Sequence, residues 1–304
     1  MLVSVPTAEL LRLVTEQVDP AVEVVEWPMD GPPPRPSIDI VVPPYMGKLE
    51  PLKRVAEVTT RLVQSQSIGY NGVEQVLPAG TTFANATSVH EASTAELAVG
   101  LAIAAQRALP VYATNQLTGT WHPIPAESLA DRHVLIVGFG GVGEAVLVRL
   151  APFEVTITCV ASRARTTNGQ QVHGIDELDA LLPEADIVIL TVPLTEATTG
   201  MVDDHFLTAM KRGALLINVA RGAVVDTAAL VDHVRRGRIR AALDVTDPEP
   251  LPPDHELWTL PGVLITPHVG GASSAMIPRM VKLIVRQTER MLAGEEPLNV
   301  VLRT

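Results

Sequence analysis

From Arg132 onward, short apolar runs rich in β-branched residues alternate with segments of helical spacing. The runs His133–Val137, Val155–Val160, Ile187–Leu190, Leu215–Val219, Ala241–Val245 and Val263–Thr266 predict strands. Glu144–Leu150, Asp203–Met210 and Thr227–Arg235 predict the helices between them. A strand that is apolar at every position must be covered on both faces, so the pattern predicts a doubly wound parallel sheet, an α/β fold. Residues 1–95 predict a second, smaller α/β unit with strands at Leu2–Val5, Val22–Glu26, Ile38–Val42, Leu62–Gln64 and Thr82–Ala84. A long helix, Thr94 to Leu109, follows; Ser93 and Glu96 have the spacing of a capping box at its start, which is a sufficient role for Glu96. The larger domain is expected over residues 96–274. A last helix, Ala275 to Leu292, returns to the small domain, so that 275–304 complete it.

Composition bounds the picture without changing it. With 304 residues, 47% of them hydrophobic and 19% charged, the chain is globular and has room for two domains. A net charge of −11 argues against nucleic acid and anionic membrane as partners, and it obliges any anionic substrate site to supply its own cations. The lone Cys159 stands in an apolar run as a small core residue and fits a reducing compartment, so a cytoplasmic location is expected. The longest apolar stretch, Leu97–Ala105, is far shorter than the roughly 20 residues of a membrane span, and the N-terminus lacks the basic and apolar regions of a signal peptide. Gly31–Pro36 is Pro-rich and reads as a stiff surface loop. No metal site is expected.

The chemistry begins at Gly138-Phe139-Gly140-Gly141-Val142-Gly143, directly after one predicted strand and opening a helix. In that context the glycines are a dinucleotide fingerprint: Gly138 makes the tight turn, Gly140 lets the backbone approach a pyrophosphate, and Gly143 lets helix and strand pack closely. The sheet domain is therefore read as a Rossmann cofactor domain. Ligands of such sheets sit beyond the carboxyl ends of the strands. There the sequence places Ser162, Arg163 and Arg165, then Val192 and Pro193, then Arg221, then Asp247 and Glu249, then His268. His133 starts a strand at the opposite edge, His205 and His233 fall in helices expected at the surface, and His268 is the one histidine at a strand's carboxyl end in this domain. An arginine fork, a histidine and a carboxylate together suit reduction of a 2-keto acid: a cation for the carboxylate, an acid for the developing alkoxide, and an acceptor to orient the imidazole. Spacing alone does not choose among Asp247, Glu249, Asp254 and Glu256 as that acceptor.

NAD-specific domains carry an acid at the end of the second strand, about 20 residues past the glycine loop, for the ribose 2′-hydroxyl. Here that strand ends in Ala161-Ser162-Arg163-Ala164-Arg165. A hydroxyl and two arginines in place of the acid predict NADP(H) in preference to NAD(H), with Arg165 the less direct of the two.

Over about residues 60–300 the chain resembles the D-isomer-specific 2-hydroxyacid dehydrogenases. The resemblance rests on Thr191-Val192-Pro193-Leu194-Thr195 running through Thr198 to Ala214, on Asn218-Val219-Ala220-Arg221-Gly222, on Ala242-Leu243-Asp244-Val245 with Pro248-Glu249-Pro250, and on Pro267-His268-Val269-Gly270. It implies that Arg221 binds the substrate carboxylate and carbonyl, that His268 is the general acid/base, and that Glu249 is its partner. It also implies that Asp244 holds the nicotinamide carboxamide, that Pro193 and Thr198 lie along the cofactor, and that backbone amides of the Ser67-Ile68-Gly69-Tyr70 loop, at Ile68 and Gly69, grip the substrate carboxylate. The small domain would be flavodoxin-like and carry substrate, with the site in a cleft between domains. A homodimer is expected, with residues 111–123 as its arm. Trp121 then lies near the partner's cleft or simply packs in the interface. Tyr45 and Met46 line the substrate pocket or belong to the core. Formate dehydrogenases of the superfamily carry glutamine at the position of Glu249, which disfavours formate. Glyoxylate and hydroxypyruvate lead as substrates, with larger 2-keto acids open. The alternative is a nucleotide-sensing corepressor-like binding protein of the same fold, which would carry extended tails that this chain lacks.

Overall fold

A computed structural model of the protein describes residues 1–46 and 49–304. In chain order the strands are β1 (Leu2–Val5), β2 (Glu23–Glu26), β3 (Ile40–Val41), β4 (Leu62–Gln64), β5 (Thr82–Ala84), β6 (His133–Val137), β7 (Thr156–Ala161), β8 (Arg165–Thr167), β9 (Gln170–Gly174), β10 (Ile187–Leu190), β11 (Leu215–Asn218), β12 (Arg240–Leu243), β13 (Val263–Ile265) and β14 (Val300–Arg303). The helices are α1 (Ala8–Thr15), α2 (Glu91–Gln106), α3 (Leu109–Leu117), α4 (Gly141–Leu150), α5 (Leu178–Leu181), α6 (Asp204–Ala209), α7 (Thr227–Arg235) and α8 (Met276–Leu292). The chain divides into two compact units, one of Met1–His90 with Ser274–Thr304 and one of Glu91–Ser273.

In the larger unit eight strands run in the order β13-β12-β11-β10-β6-β7-β9-β8, all parallel except the β8–β9 hairpin. Alternate residues of the same strand enter different cores. Leu135, Val137, Val188, Leu190 and Leu216 belong to one apolar cluster; Val134, Ile136, Ile187, Ile189, Leu215 and Ile217 belong to the other. This double burial is why the strands read as unbroken apolar runs. Helices α6 and α7 start at side-chain caps: Asp203 Oδ1 accepts from Phe206 N at 2.9 Å, and Asp226 Oδ1 from Ala228 N at 2.9 Å and Ala229 N at 3.1 Å. Burial pushes the Cys159 thiol up to about 12, which keeps it protonated and inert among its apolar neighbours.

The smaller unit is a six-stranded sheet, β14-β5-β4-β3-β1-β2, parallel but for β14. One face packs against α1 and α8 through Val3, Val5, Ile40, Leu10, Met280 and Ile284. Gln287 ties α8 to the sheet: its Nε2 donates to Gln64 Oε1 at 2.6 Å, both side chains being buried.

Two local expectations are corrected, and one hairpin has no counterpart in the sequence pattern. The long helix begins at Glu91, which places Ser93 inside it rather than at its cap; Ser93 Oγ instead meets Ser273 Oγ at 2.6 Å. That helix also stops at Gln106, because Ala108 turns left-handed at φ +52° and α3 starts at a new angle. The hairpin β8–β9 carries no apolar run, since an edge hairpin has little to bury; of its residues Val172 enters the core. Among the described residues no single helix is long and apolar enough to cross a membrane.

Candidate active site

The turn after β6 is shaped by the side chains it lacks. Gly138 sits at φ +105°, and a Cβ there would lie 2.6 Å from the Val192 amide nitrogen. A Cβ on Gly143 would lie 2.2 Å from the Gly138 carbonyl oxygen, which already accepts from Thr191 Oγ1 at 2.5 Å. Gly140 differs: its Cβ would meet nothing within 4 Å. No side chain caps α4, which opens at Gly141. A helix start without a side-chain cap, behind a glycine facing open space, fits the pyrophosphate of a dinucleotide. Val142 packs beside the core, and Phe139 is buried with its carbonyl accepting from Arg165 Nη2 at 2.6 Å. Ser162 and Arg163 are exposed just past the end of β7, whereas Arg165 lies within β8. Across the sheet, Thr198 Oγ1 donates to Pro193 O at 2.6 Å and accepts from Thr195 N at 2.8 Å, so this hydroxyl staples its own loop.

Three neighbouring strands carry the polar residues: Arg221 follows β11, Glu249 follows β12 and His268 follows β13. His268 Nδ1 stands 2.5 Å from Glu249 Oε1. An ionised carboxylate only accepts, so the proton of this bond is on Nδ1 and Nε2 is left to exchange one. Arg221 is held by its neighbour in sequence: Asn218 Oδ1 accepts from Ala220 N at 3.0 Å, and Asn218 Nδ2 donates to Arg221 O at 2.9 Å. Gly222 then presses against the segment before Glu249, for its Cβ would lie 1.9 Å from Thr246 O. Thr227 Oγ1 fixes that segment by donating to Asp247 O at 2.7 Å. Asp244 is 3% exposed and turned into the loop that carries His268.

Two histidine expectations are corrected. His233 is buried and bonded to Asp204 Oδ1 at 2.9 Å. His173 also stands at a carboxyl end, that of β9, where its 2.8 Å bond holds the Glu177 carboxyl below the usual range. In the smaller unit, Ile68 O accepts from Asn85 Nδ2 at 2.9 Å and Ser67 N donates to Ser65 Oγ at 3.0 Å, so two side chains set the loop of Ile68 and Gly69. Tyr45 stacks on His90 with ring centroids 5.4 Å apart, while Met46 is half exposed. Trp121 is 96% exposed. The supporting residues Asn218, Asn85 and Thr266 were not singled out from sequence; an Asn two residues before a chain turn was the one available signal, as an Asx turn.

The family model for the D-isomer specific 2-hydroxyacid dehydrogenase NAD binding domain matches residues 99–270. The glyoxylate reductase of Thermofilum pendens is 33% identical over 248 residues, 78% of this chain and 73% of the relative. That of Thermococcus kodakarensis is 32% identical over 300 residues, 92% and 90% of the two chains. A D-isomer specific 2-hydroxyacid dehydrogenase from Xanthobacter autotrophicus Py2, solved in complex with NADPH and MES, has a TM-score of 0.82 and 27% identity, covering 99% of this chain and 98% of that one. With a glycine turn that fits a dinucleotide and a His–Glu pair on the same sheet edge, the chain belongs to the D-isomer specific 2-hydroxyacid dehydrogenase family and is an NAD(P)-dependent oxidoreductase of 2-hydroxy acids.

Proposed function

We propose that the protein reduces a small 2-keto acid of the glyoxylate or hydroxypyruvate type, with NADP(H) preferred over NAD(H). The reading is carried by the 2.5 Å contact of His268 Nδ1 with Glu249 Oε1 at the carboxyl ends of adjacent strands. When bound, the reduced nicotinamide supplies a hydride. Arg221 pairs its guanidinium fork with the substrate carboxylate. His268 in its imidazolium form gives the Nε2 proton to the carbonyl oxygen as charge builds there, and Glu249 keeps accepting from the Nδ1 proton that stays on the ring.

Ser162 and Arg163, exposed past β7, are assigned to the 2′-phosphate, with Arg165 supporting the turn through Phe139 O. A charge-assisted pairing is worth about 1.5–3 kcal/mol, so kcat/KM should favour NADPH about tenfold or more. Steady-state oxidation of both reduced cofactors by a panel of 2-keto acids tests the whole reading. Turnover on glyoxylate or hydroxypyruvate with NADPH ahead supports it. Equal rates or an NADH preference removes the phosphate assignment, and binding without turnover removes the reductase. A homodimer through residues 111–123 is part of the same reading, supported by the exposure of Leu117 and Trp121; a monomer mass by light scattering would contradict it.

A further inference from the structure

The residue that the family resemblance implies for the nicotinamide carboxamide also has its polar atoms engaged within the protein. Asp244 lies just past β12 and is 3% exposed. Its Oδ1 accepts from Thr266 Oγ1 at 2.6 Å and from Val269 N at 2.9 Å. Its Oδ2 accepts from Gly270 N at 2.9 Å, and its own backbone carbonyl accepts from His268 N at 2.7 Å. One aspartate thus bonds to every residue from 266 to 270 except Pro267. The residue in the middle of that span, His268, stands at φ +52°, in the left-handed region that non-glycine residues enter only when the surroundings impose it. The clamp is close-fitting: a Cβ on Gly270 would lie 2.9 Å from Asp244 Oδ2.

We infer that Asp244 is a positioning residue, which holds the His268 turn so that the imidazole meets Glu249. Asp244 then acts on proton transfer through the backbone it grips. The inference rests on the proposal that His268 is the acid/base. Both oxygens of the Asp244 carboxyl accept, one from a hydroxyl and an amide and the other from an amide, whereas an asparagine side chain has a single acceptor oxygen. In Asp244→Asn one oxygen becomes an NH2 group facing the Gly270 N–H, donor against donor. Thr266→Val removes one of the three bonds to the carboxylate and keeps the charge.

The test compares wild type, Asp244→Asn, Thr266→Val and His268→Ala by three readouts: kcat against pH, NADPH affinity by fluorescence titration, and titration of the His268 ring by NMR in the protein without cofactor. Asp244→Asn is expected to lower kcat about tenfold or more, as small displacements of reacting groups do. It should also move the His268 titration, which loss of a cofactor contact alone would not do in the protein without cofactor. Thr266→Val is expected to do the same to a smaller extent, and it carries the test alone if Asp244→Asn does not fold. A folded Asp244→Asn with wild-type His268 titration overturns the inference, whether its kcat is intact or its loss is confined to NADPH affinity. If His268→Ala keeps full turnover, the acid/base proposal fails, and the NMR titrations still decide whether Asp244 holds the turn.

Discussion

Two stretches of the same sheet edge are built in opposite ways. The turn after β6 works by what is missing: Gly138 and Gly143 leave no room for a Cβ, and Gly140 leaves open space above a helix start. The loops after β11, β12 and β13 work by polar side chains that reach across: Asn218 sets Arg221, Glu249 meets His268, and Asp244 grips the His268 turn. A steric requirement acts on the residue itself and on its close neighbours. A clamp depends on groups that are near only after folding; Asp244 and Gly270 lie 26 residues apart in the chain. Cofactor and chemistry are therefore expected to fail separately, the first when a side chain is added and the second when one is removed.

The largest separation should come from His268→Ala. Loss of a general acid typically costs about 10²–10⁴-fold, and here it should fall on kcat with the fold intact. Wild-type turnover at neutral pH would place the acid elsewhere. Next is Gly222→Ala, whose new methyl would sit 1.9 Å from Thr246 O. Overpacking of this kind costs about 1–3 kcal/mol, read as a lower denaturant midpoint; an unchanged midpoint would mean that the segment yields freely. The smallest is Ser162→Asp with Arg163→Ala. Adding repulsion and removing a cation should erode an NADPH preference by about tenfold, and an unaltered ratio of kcat/KM values would detach these residues from the phosphate.

The same contrast explains what could be read in advance. The glycine turn, β6, β10 and α7 were legible because their requirements are local: apolar runs for a sheet covered on both faces, and glycines where a Cβ has no space. The β8–β9 hairpin was not, since an exposed edge buries too little to leave a pattern. His233 was misplaced because one bond to Asp204 makes burial of a polar ring tolerable, and that partner is 29 residues away. Choosing Glu249 among four loop acids required the resemblance, and the structure then set its Oε1 at 2.5 Å from His268 Nδ1. The second role of Asp244 had no signature at all, because all of its donors lie in the loop after another strand, β13.

The most direct measurement of separability is NADPH titration of Gly140→Ala and His268→Ala side by side. Gly140 has an extended backbone, φ −102° and ψ −162°, and its Cβ meets nothing within 4 Å, so alanine is accommodated in the fold and intrudes only on what binds there. Gly140→Ala should keep the wild-type unfolding midpoint and lose NADPH affinity, whereas His268→Ala should bind NADPH as wild type does and fail to turn over. Wild-type NADPH affinity in Gly140→Ala, or lost affinity in a folded His268→Ala, would contradict the division of this edge into a cofactor turn and a proton-transfer turn.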